Sequence, residues 1–580
     1  MGRKKTLKRV LQYIDKYKYY LIISILFATV TVALTLYAPI LIGNAIDLII
    51  GRDMVYFISI THILIRLGII IGATAVLQWL MNVCNNKITY NVSRDLRQQA
   101  FEKIERVPIS YIDNNPSGDV VSRVINDVDQ LADGLLMGFT QLFTGVVTII
   151  GTLAFMLYIN PLITLVVVVV TPLSFFIARF IAKKTYNMFF LQSKTRGEQT
   201  AFIDEMISNQ KIADAYNMDE DNLKRFDDIN SRLANHSLKA TFFSSITNPA
   251  TRFVNSIVYA SVALFGAIMA IKGNITVGIL SCFLAYANQY TKPFNEISSV
   301  VTELQNSLAC AGRVLDFIDE KEISPDKKDA IELDNPKGNI TISNLDFSYN
   351  PEKELITNLN LDVKEGMTVA VVGPTGCGKT TLINLLMRFY DAQNGEIKID
   401  GVNTLDIKRK SLRENFGMVL QDTWLKSGTI MDNIRLANPN ASDDEVIESA
   451  KKAHSHSFIK RLPNGYDTYI GEDGGSLSQG QKQLLCITRL MLSPPPMLIL
   501  DEATSSIDTR TEIKIQKAFN TLMQGRTTFI VAHRLSTIKN ADIILVMNNG
   551  NIIEQGSHDE LYKKHGSYYN LYNSQFPKNN

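Results

Sequence analysis

Cysteine is scarce. The five thiols, Cys84, Cys282, Cys310, Cys377 and Cys486, are scattered through 580 residues without pairing or metal-like spacing. A disulfide framework is excluded, and the cysteines read as small buried residues. An excess of charge is also missing. With 59 Lys and Arg against 57 Asp and Glu, the net charge is +2, and the strongly basic domain of a nucleic-acid-binding protein is absent. No cleavable signal peptide is visible: "MGRKKTLKRV" is basic, but the apolar run after it is too long for a signal core. Its formal match to a myristoylation pattern reads as chance, because one acyl chain adds nothing to a chain with several spans. Proline is absent between Pro39 and Pro108 and between Pro172 and Pro249, which permits continuous helices there.

Apolar sequence is abundant in the first half. Six runs reach the ~20 residues a spanning helix needs, near 19–47, 57–83, 134–160, 161–183, 247–272 and 275–300. The connections near 48–56, 160–161 and 272–274 are short, while those near 84–133 and 184–246 are long and rich in Lys and Arg. The positive-inside rule turns the long ones and both termini to the cytoplasmic side of a cell membrane. They read as helices projecting beyond the bilayer: a helix from 57 to 107 would be ~75 Å long, against a ~30 Å bilayer core. They are expected to turn back at "SYIDNNPSGD" (110–119) and "AYNMDEDN" (215–222), where contact with the cytosolic domain is also expected. Arg66, Asn255, Asn288, Gln289 and Asn295 are costly if they face lipid, so they line a substrate path, tie helices together or lie at the membrane interface.

From residue 338 short β-rich runs alternate with helical ones. "MTVAVVG" is a buried strand that runs directly into "GPTGCGKTTLINLLMRF". In such a loop, Gly373 to Gly378 turn backbone N–H groups toward phosphate oxygens, and the helix that follows adds its positive end. Lys379 can reach the β- and γ-phosphates and Thr380 can ligate Mg²⁺. "PMLILDEATSSID" makes another buried strand, ending in Asp501, which can hold Mg²⁺ through water. Glu502 beside it is placed to orient or deprotonate an attacking water. The strand "RTTFIVAH" ends in His533, a partner for the γ-phosphate, and Gln421 follows the apolar run "FGMVL" in the same way. A second glycine- and serine-led helix start, "GGSLSQGQKQ", resembles another anion site.

These motifs, in this order, resemble an ATP-binding cassette (ABC) transporter of the exporter type, a half-transporter with membrane and nucleotide-binding parts fused. They are "GPTGCGKTT" (Walker A), "VLQDTWLKSGTIMDNI" (Q-loop), "GGSLSQGQKQ" (signature), "MLILDEATSSID" (Walker B and D-loop) and "IVAHRLST" (H-loop). The resemblance implies a multidomain fold. A six-helix all-α transmembrane domain with long cytoplasmic helical extensions (1–315) and a linker (316–337) precede an α/β P-loop ATPase domain (338–580). That last domain is expected to carry an antiparallel β subdomain and an α-helical subdomain. It also implies that ATP is held by Gly373, Pro374, Thr375, Gly376, Cys377, Gly378, Lys379, Thr380 and Thr381, with Tyr349 stacked on adenine. Mg²⁺ is expected on Thr380, Gln421 and Asp501, and Glu502, His533 and Gln421 are the expected catalytic residues.

In the family two cassettes face each other head to tail, so the signature serves a nucleotide held by the other cassette. Ser478, Gln479, Gly480 and Gln481 would meet that opposite ATP, with Asp508 in the D-loop. The family has Gly where this chain has Gln479, which puts any need for a glycine-only backbone conformation there in doubt. The expected function is ATP-driven export of a hydrophobic or amphipathic drug, lipid or peptide. Its expected partners are a second half-transporter, membrane lipid and the transported compound. The alternative is a membrane-anchored ATPase that regulates a partner protein without transport.

Overall fold

A computed structural model describes residues 3–49, 55–350, 352–420, 423–471, 474–475, 477–501, 507–531 and 538–575. The chain divides into two compact units: Met1–Val107 with Asn115–Glu322, and Ile323–Asn580 with Pro108–Asn114.

The first unit is built of helices: α1 (Arg3–Asp15), α2 (Lys18–Asp47) and α3 (Phe57–Ile104), then α5 (Ser117–Val124) and α6 (Asn126–Met137) beyond a short α4 (Ile109–Asn114) that belongs to the other unit. A π turn at Gly138–Leu142 leads into α7 (Phe143–Ile159), followed by α8 (Pro161–Val170), α9 (Pro172–Ser208), α10 (Gln210–Ala215), α11 (Asp219–Ile271) and α12 (Val277–Ile318). The 48-residue α3 is the long helix expected from the proline-free stretch. Proline nonetheless marks no helix boundary at Pro39, Pro249 or Pro293, which lie inside α2, α11 and α12. Apolar helices tolerate proline where packed neighbours re-satisfy the freed carbonyl. The chain reverses after Asn114, where Pro116 precedes α5, and again at Asn217, whose φ is +52°.

Lys18–Asp47, Phe57–Ile104, Ser117–Ile159 and Arg252–Ile271 are long and apolar enough to cross a membrane, and Pro161–Val170 is a shorter apolar helix. Val32 and Leu36 of α2 pack with Met156, Ile163, Val258, Val262, Phe283 and Tyr286. There the Tyr286 hydroxyl donates to the Leu36 carbonyl at 2.6 Å. In a second cluster of this unit, Val10 and Ile14 meet Ile88, Val92, Leu96, Leu131 and Leu315. Beside them Arg313 Nε donates to Asp127 Oδ2 at 2.8 Å, and the second guanidinium nitrogen reaches Oδ1.

The second unit is layered α/β. A four-stranded antiparallel sheet has the order β2-β1-β4-β5, from β1 (Ile340–Phe347), β2 (Ile356–Val363), β4 (Asn394–Ile399) and β5 (Val402–Asn403). A six-stranded sheet has the order β12-β11-β3-β10-β9-β6. Its members are β3 (Thr368–Val372), β6 (Phe416–Val419), β9 (Met497–Asp501), β10 (Thr527–Val531), β11 (Ile543–Asn548) and β12 (Asn551–Gly556), all parallel except the edge strand β12. The central strands are apolar throughout because both faces are covered. Val369 and Val371 face the core shared with the antiparallel sheet, while Ala370 and Val372 face Leu484, Ile487, Ile515 and Phe519. A helical lobe has its own core of Leu425, Ile430, Ile434, Val446, Ile459 and Leu485. In it the short antiparallel pair β7–β8 (Gly428–Thr429, Tyr469–Ile470) accompanies the helices at Ile430–Arg435, Asp443–Lys452 and Gln479–Leu492.

Candidate functional site

The site is built at the carboxyl ends of the parallel strands, where α/β sheets bind ligands. β3 leads directly into Gly373–Gly378, and the next residue opens helix α13 (Lys379–Leu386). Three glycines make the turn possible: Gly373, Gly376 and Gly378 have φ of +154°, +83° and +102°. A Cβ on Gly373 would lie 2.3 Å from the Met547 carbonyl oxygen, so the close approach requires glycine as well as the angle. The Gly550 amide donates to the Cys377 carbonyl at 2.9 Å and ties the loop to the β11–β12 turn. Cys377 is buried, as a small core residue, while Pro374, Thr375, Gly376 and Thr380 are exposed. Lys379 Nζ donates to the carbonyls of Gly373 (2.9 Å) and Pro374 (3.0 Å), which draws the ammonium over the loop. Thr381 faces the core instead, so it supports the helix start from inside.

Register places the acidic end of β9 beside this loop. Val371 pairs with Val531, and Val531 pairs with Asp501, so the three occupy one row across β3, β10 and β9. Two strand spacings put that row about 10 Å wide. Asp501 is half-buried at its end. Glu502 follows it in the chain, His533 comes two residues after β10 and Gln421 two after β6; these three lie outside the described residues.

Tyr349 is half-exposed, and its hydroxyl accepts from Asn384 Nδ2 of α13 at 3.1 Å. Its ring meets Phe347 and Tyr390 edge-on, each at 4.9 Å between centroids. Tyr390 was not singled out in the sequence. Its hydroxyl donates to Asp113 of α4, and burial, then that carboxylate, push its pKa well above the ordinary tyrosine value.

The signature forms a capped helix, α14 (Gln479–Leu492). Ser478 Oγ accepts from the Gln481 amide at 3.3 Å, and Gln481 Oε1 accepts from the Ser478 amide at 2.9 Å. This is a capping box, so both side chains serve the helix start. Gln479 is not among the described non-glycine residues with positive φ: it lies in the first helical turn, where a side chain costs nothing. Glycine is needed at the next position instead. A Cβ on Gly480 would sit 2.6 Å from Thr511 Cγ2 and 3.0 Å from Ile507 Cγ2. Asp508 caps α15 (Thr509–Met523) by accepting from the Thr511 amide at 2.9 Å, and that bond lowers its pKa.

Arg489 of α14 also escaped the sequence reading. It donates to the Asn433 carbonyl (2.8 Å), the Trp424 carbonyl (2.9 Å) and Asn433 Oδ1 (2.6 Å), and burial pulls its pKa down. It therefore pins the segment after Gln421 to the signature helix. An arginine on the inner face of the apolar run "LLCITRLML" was the available signal.

The comparisons with known proteins agree with this geometry. The family profile described as ABC transporter transmembrane region matches residues 21–294, and the one described as ABC transporter matches 356–505. The uncharacterized ABC transporter ATP-binding protein YfiC of Bacillus subtilis is 38% identical over 576 residues, covering 99% of this chain and 95% of that one. The fatty acid ABC transporter ATP-binding/permease protein of Mycobacterium bovis is 40% identical over 499 residues, 86% of this chain and 79% of that one. A Staphylococcus aureus protein named as a candidate multidrug export ATP-binding/permease protein is 37% identical over 579 residues, 98% of this chain and 100% of that one. Among solved structures, a bacterial Atm1-family ABC exporter with ATP bound superposes with a TM-score of 0.78 at 26% identity, over 98% of this chain and 99% of that one. The chain belongs to the ABC transporters: it is an exporter-type membrane protein that carries a nucleotide-binding ATPase domain and couples ATP hydrolysis to transport.

Proposed function

We propose that the chain is half of an exporter that moves a hydrophobic or amphipathic compound by alternating access. The carrying observation is that one ATPase unit contains a lysine-bearing phosphate loop and, separately, a serine-capped helix start with no lysine loop of its own. Each ATP is then gripped by Gly373–Thr381 of one chain and sealed by Ser478–Gln481 of another, either a second copy or a related chain. Tyr349 supports the adenine, and Asp508 lies in the D-loop at the junction. The proposed bounds are a six-span domain at 1–315, a linker at 316–337 and a cassette at 338–580, with both termini cytoplasmic.

Thr380, exposed at the start of α13, and Asp501, at the end of β9, offer the hard oxygen donors that suit Mg²⁺, with Gln421 as a third. When bound, Mg²⁺ neutralises charge on the β- and γ-phosphates. Lys379 holds the same oxygens, Glu502 takes the proton of the attacking water, and His533 steadies the γ-phosphate. ATP differs from ADP only at that phosphate, so contacts there can shift the equilibrium between closed and open cassettes. Closure passes through α4 to the spanning helices. Relatives named for fatty acid transport and for multidrug export support an apolar or amphipathic cargo.

The test is crosslinking. In a chain freed of its native cysteines, Thr375→Cys and Ser478→Cys should join two protomers on oxidation when ATP is bound. If the pair never joins under nucleotide, the shared site is overturned.

A further inference from the structure

The helical unit contains a cavity of about 350 Å³ between α2, α3, α7 and α12, at the lower end of the ~300–1,000 Å³ range of ligand sites. Its wall combines apolar surface from Val32, Leu36 and Pro293 with an unusual set of oxygens. Thr140, Thr144 and Thr148 recur every fourth residue on one helix face, and each donates its only hydroxyl hydrogen to the carbonyl four residues back, at 2.6 to 2.7 Å. Thr35 does the same toward the Thr31 carbonyl at 2.8 Å. These four hydroxyls therefore offer lone pairs and no hydrogen.

Two further polar atoms at the wall are buried without a hydrogen-bond partner among the described residues: Gln289 Oε1, which can only accept, and Thr31 Oγ1, a hydroxyl that can accept or donate. A buried polar group left unpaired is costly and points to a ligand that satisfies it. The charges add no preference for an anion, because Lys292 and Glu296 stand one helical turn apart, 3.9 Å from N to O, and cancel. Gln78 and Gln141 can donate as well as accept, so they do not reverse the excess of acceptors.

We infer that this cavity is a binding site for the N–H-bearing head of an amphipathic amine, with the apolar body against Val32, Leu36 and Pro293. The inference deepens the export reading and rests on it for the direction of movement, but not for binding. A carboxylate brings only acceptors to the four threonine hydroxyls and Gln289 Oε1, which themselves only accept. A quaternary ammonium brings charge without hydrogens.

The experiment uses the full chain in lipid nanodiscs and three dansyl-tagged decyl chains ending in a primary ammonium, a trimethylammonium or a carboxylate. Fluorescence titration should show the primary ammonium bound about tenfold more tightly than either other probe, the step that one satisfied polar contact supplies. Thr31→Val with Gln289→Leu should abolish that preference while leaving thermal unfolding within a few degrees of the parent, since the two oxygens removed hold no hydrogen bond among the described residues. Thr31→Ser with Gln289→Asn keeps the oxygens and should keep the preference. Equal binding of the three probes, binding of none, or a preference that survives in the Val/Leu variant overturns the site. ATP-driven uptake into inside-out vesicles is scored separately. An ammonium probe that binds but is not moved overturns the export reading and leaves the site standing. Uptake of all three probes alike overturns the site and leaves export standing.

Discussion

Tyr390 and Asp113 are 277 residues apart, yet their hydrogen bond fastens α4 to the ATPase unit. Tyr390→Phe deletes that bond and little else, because the ring keeps its contacts with Phe347 and Tyr349 at 5.6 and 4.9 Å. A hydrogen bond to a charged acceptor contributes about 1.5–3 kcal/mol. Solvent screening of the exposed carboxylate reduces this to about 1 kcal/mol. Such a loss shifts the docked-to-undocked equilibrium of α4 roughly fivefold. Amide hydrogen exchange reads that opening directly. Exchange over 109–114 should accelerate about fivefold while exchange in β3 stays unchanged, because β3 opens only with the whole unit. Asp113→Asn keeps an acceptor and should show a smaller change, and the double variant should fall short of the sum of the two singles, as contacting residues do. Unchanged exchange over 109–114 in Tyr390→Phe would refute the fastening role. Equal acceleration in β3 would show instead that the variant loosens the entire unit.

Three other outcomes follow from the geometry. Gly480→Val drives a branched side chain into Thr511 and Ile507; ATPase turnover should drop about five- to 150-fold, matching an overpacking cost of about 1–3 kcal/mol at the signature, with nucleotide affinity of the separate loop retained in a fluorescent-ATP titration. Glu502→Gln should abolish turnover while ATP binding persists, checked by phosphate release against nucleotide retention; a variant keeping most of its activity removes Glu502 from the role of base. Asp400→Asn should destabilise the second unit by about 1–2 kcal/mol, because Asp400 accepts from the amides of Lys337 (2.7 Å), Gly338 (3.2 Å) and Asn339 (2.9 Å). Burial pushes this carboxyl's pKa up, but the hydrogen bonds from Asn339, Gly338 and Lys337 outweigh it and hold the pKa below the ordinary value. The stabilisation is therefore complete above the ordinary carboxylate pKa and lost as the pH falls through the depressed one. Urea unfolding should show wild type and variant apart at neutral pH and converging in acid.

The sequence alone determined what depends on local pattern. Helix α3 (Phe57–Ile104) falls within the proline-free stretch, where an apolar and then polar run continues one helix. Gly373, Gly376 and Gly378 announce a turn that needs positive φ, and the apolar run before Asp501 announces a strand covered on both faces. The order of these motifs was enough to name the family. Pairings between distant segments were decided by the tertiary structure, since no periodicity connects Tyr390 with Asp113, or Arg489 with Asn433. Tertiary packing also moved the glycine requirement in the signature from Gln479, an ordinary helical position, to Gly480, which faces Thr511. In the helical unit, sequence marked Gln289 as costly in lipid. Only the folding of α2, α3, α7 and α12 around one space made it the wall of a cavity, because burial belongs to the whole fold and not to any one helix.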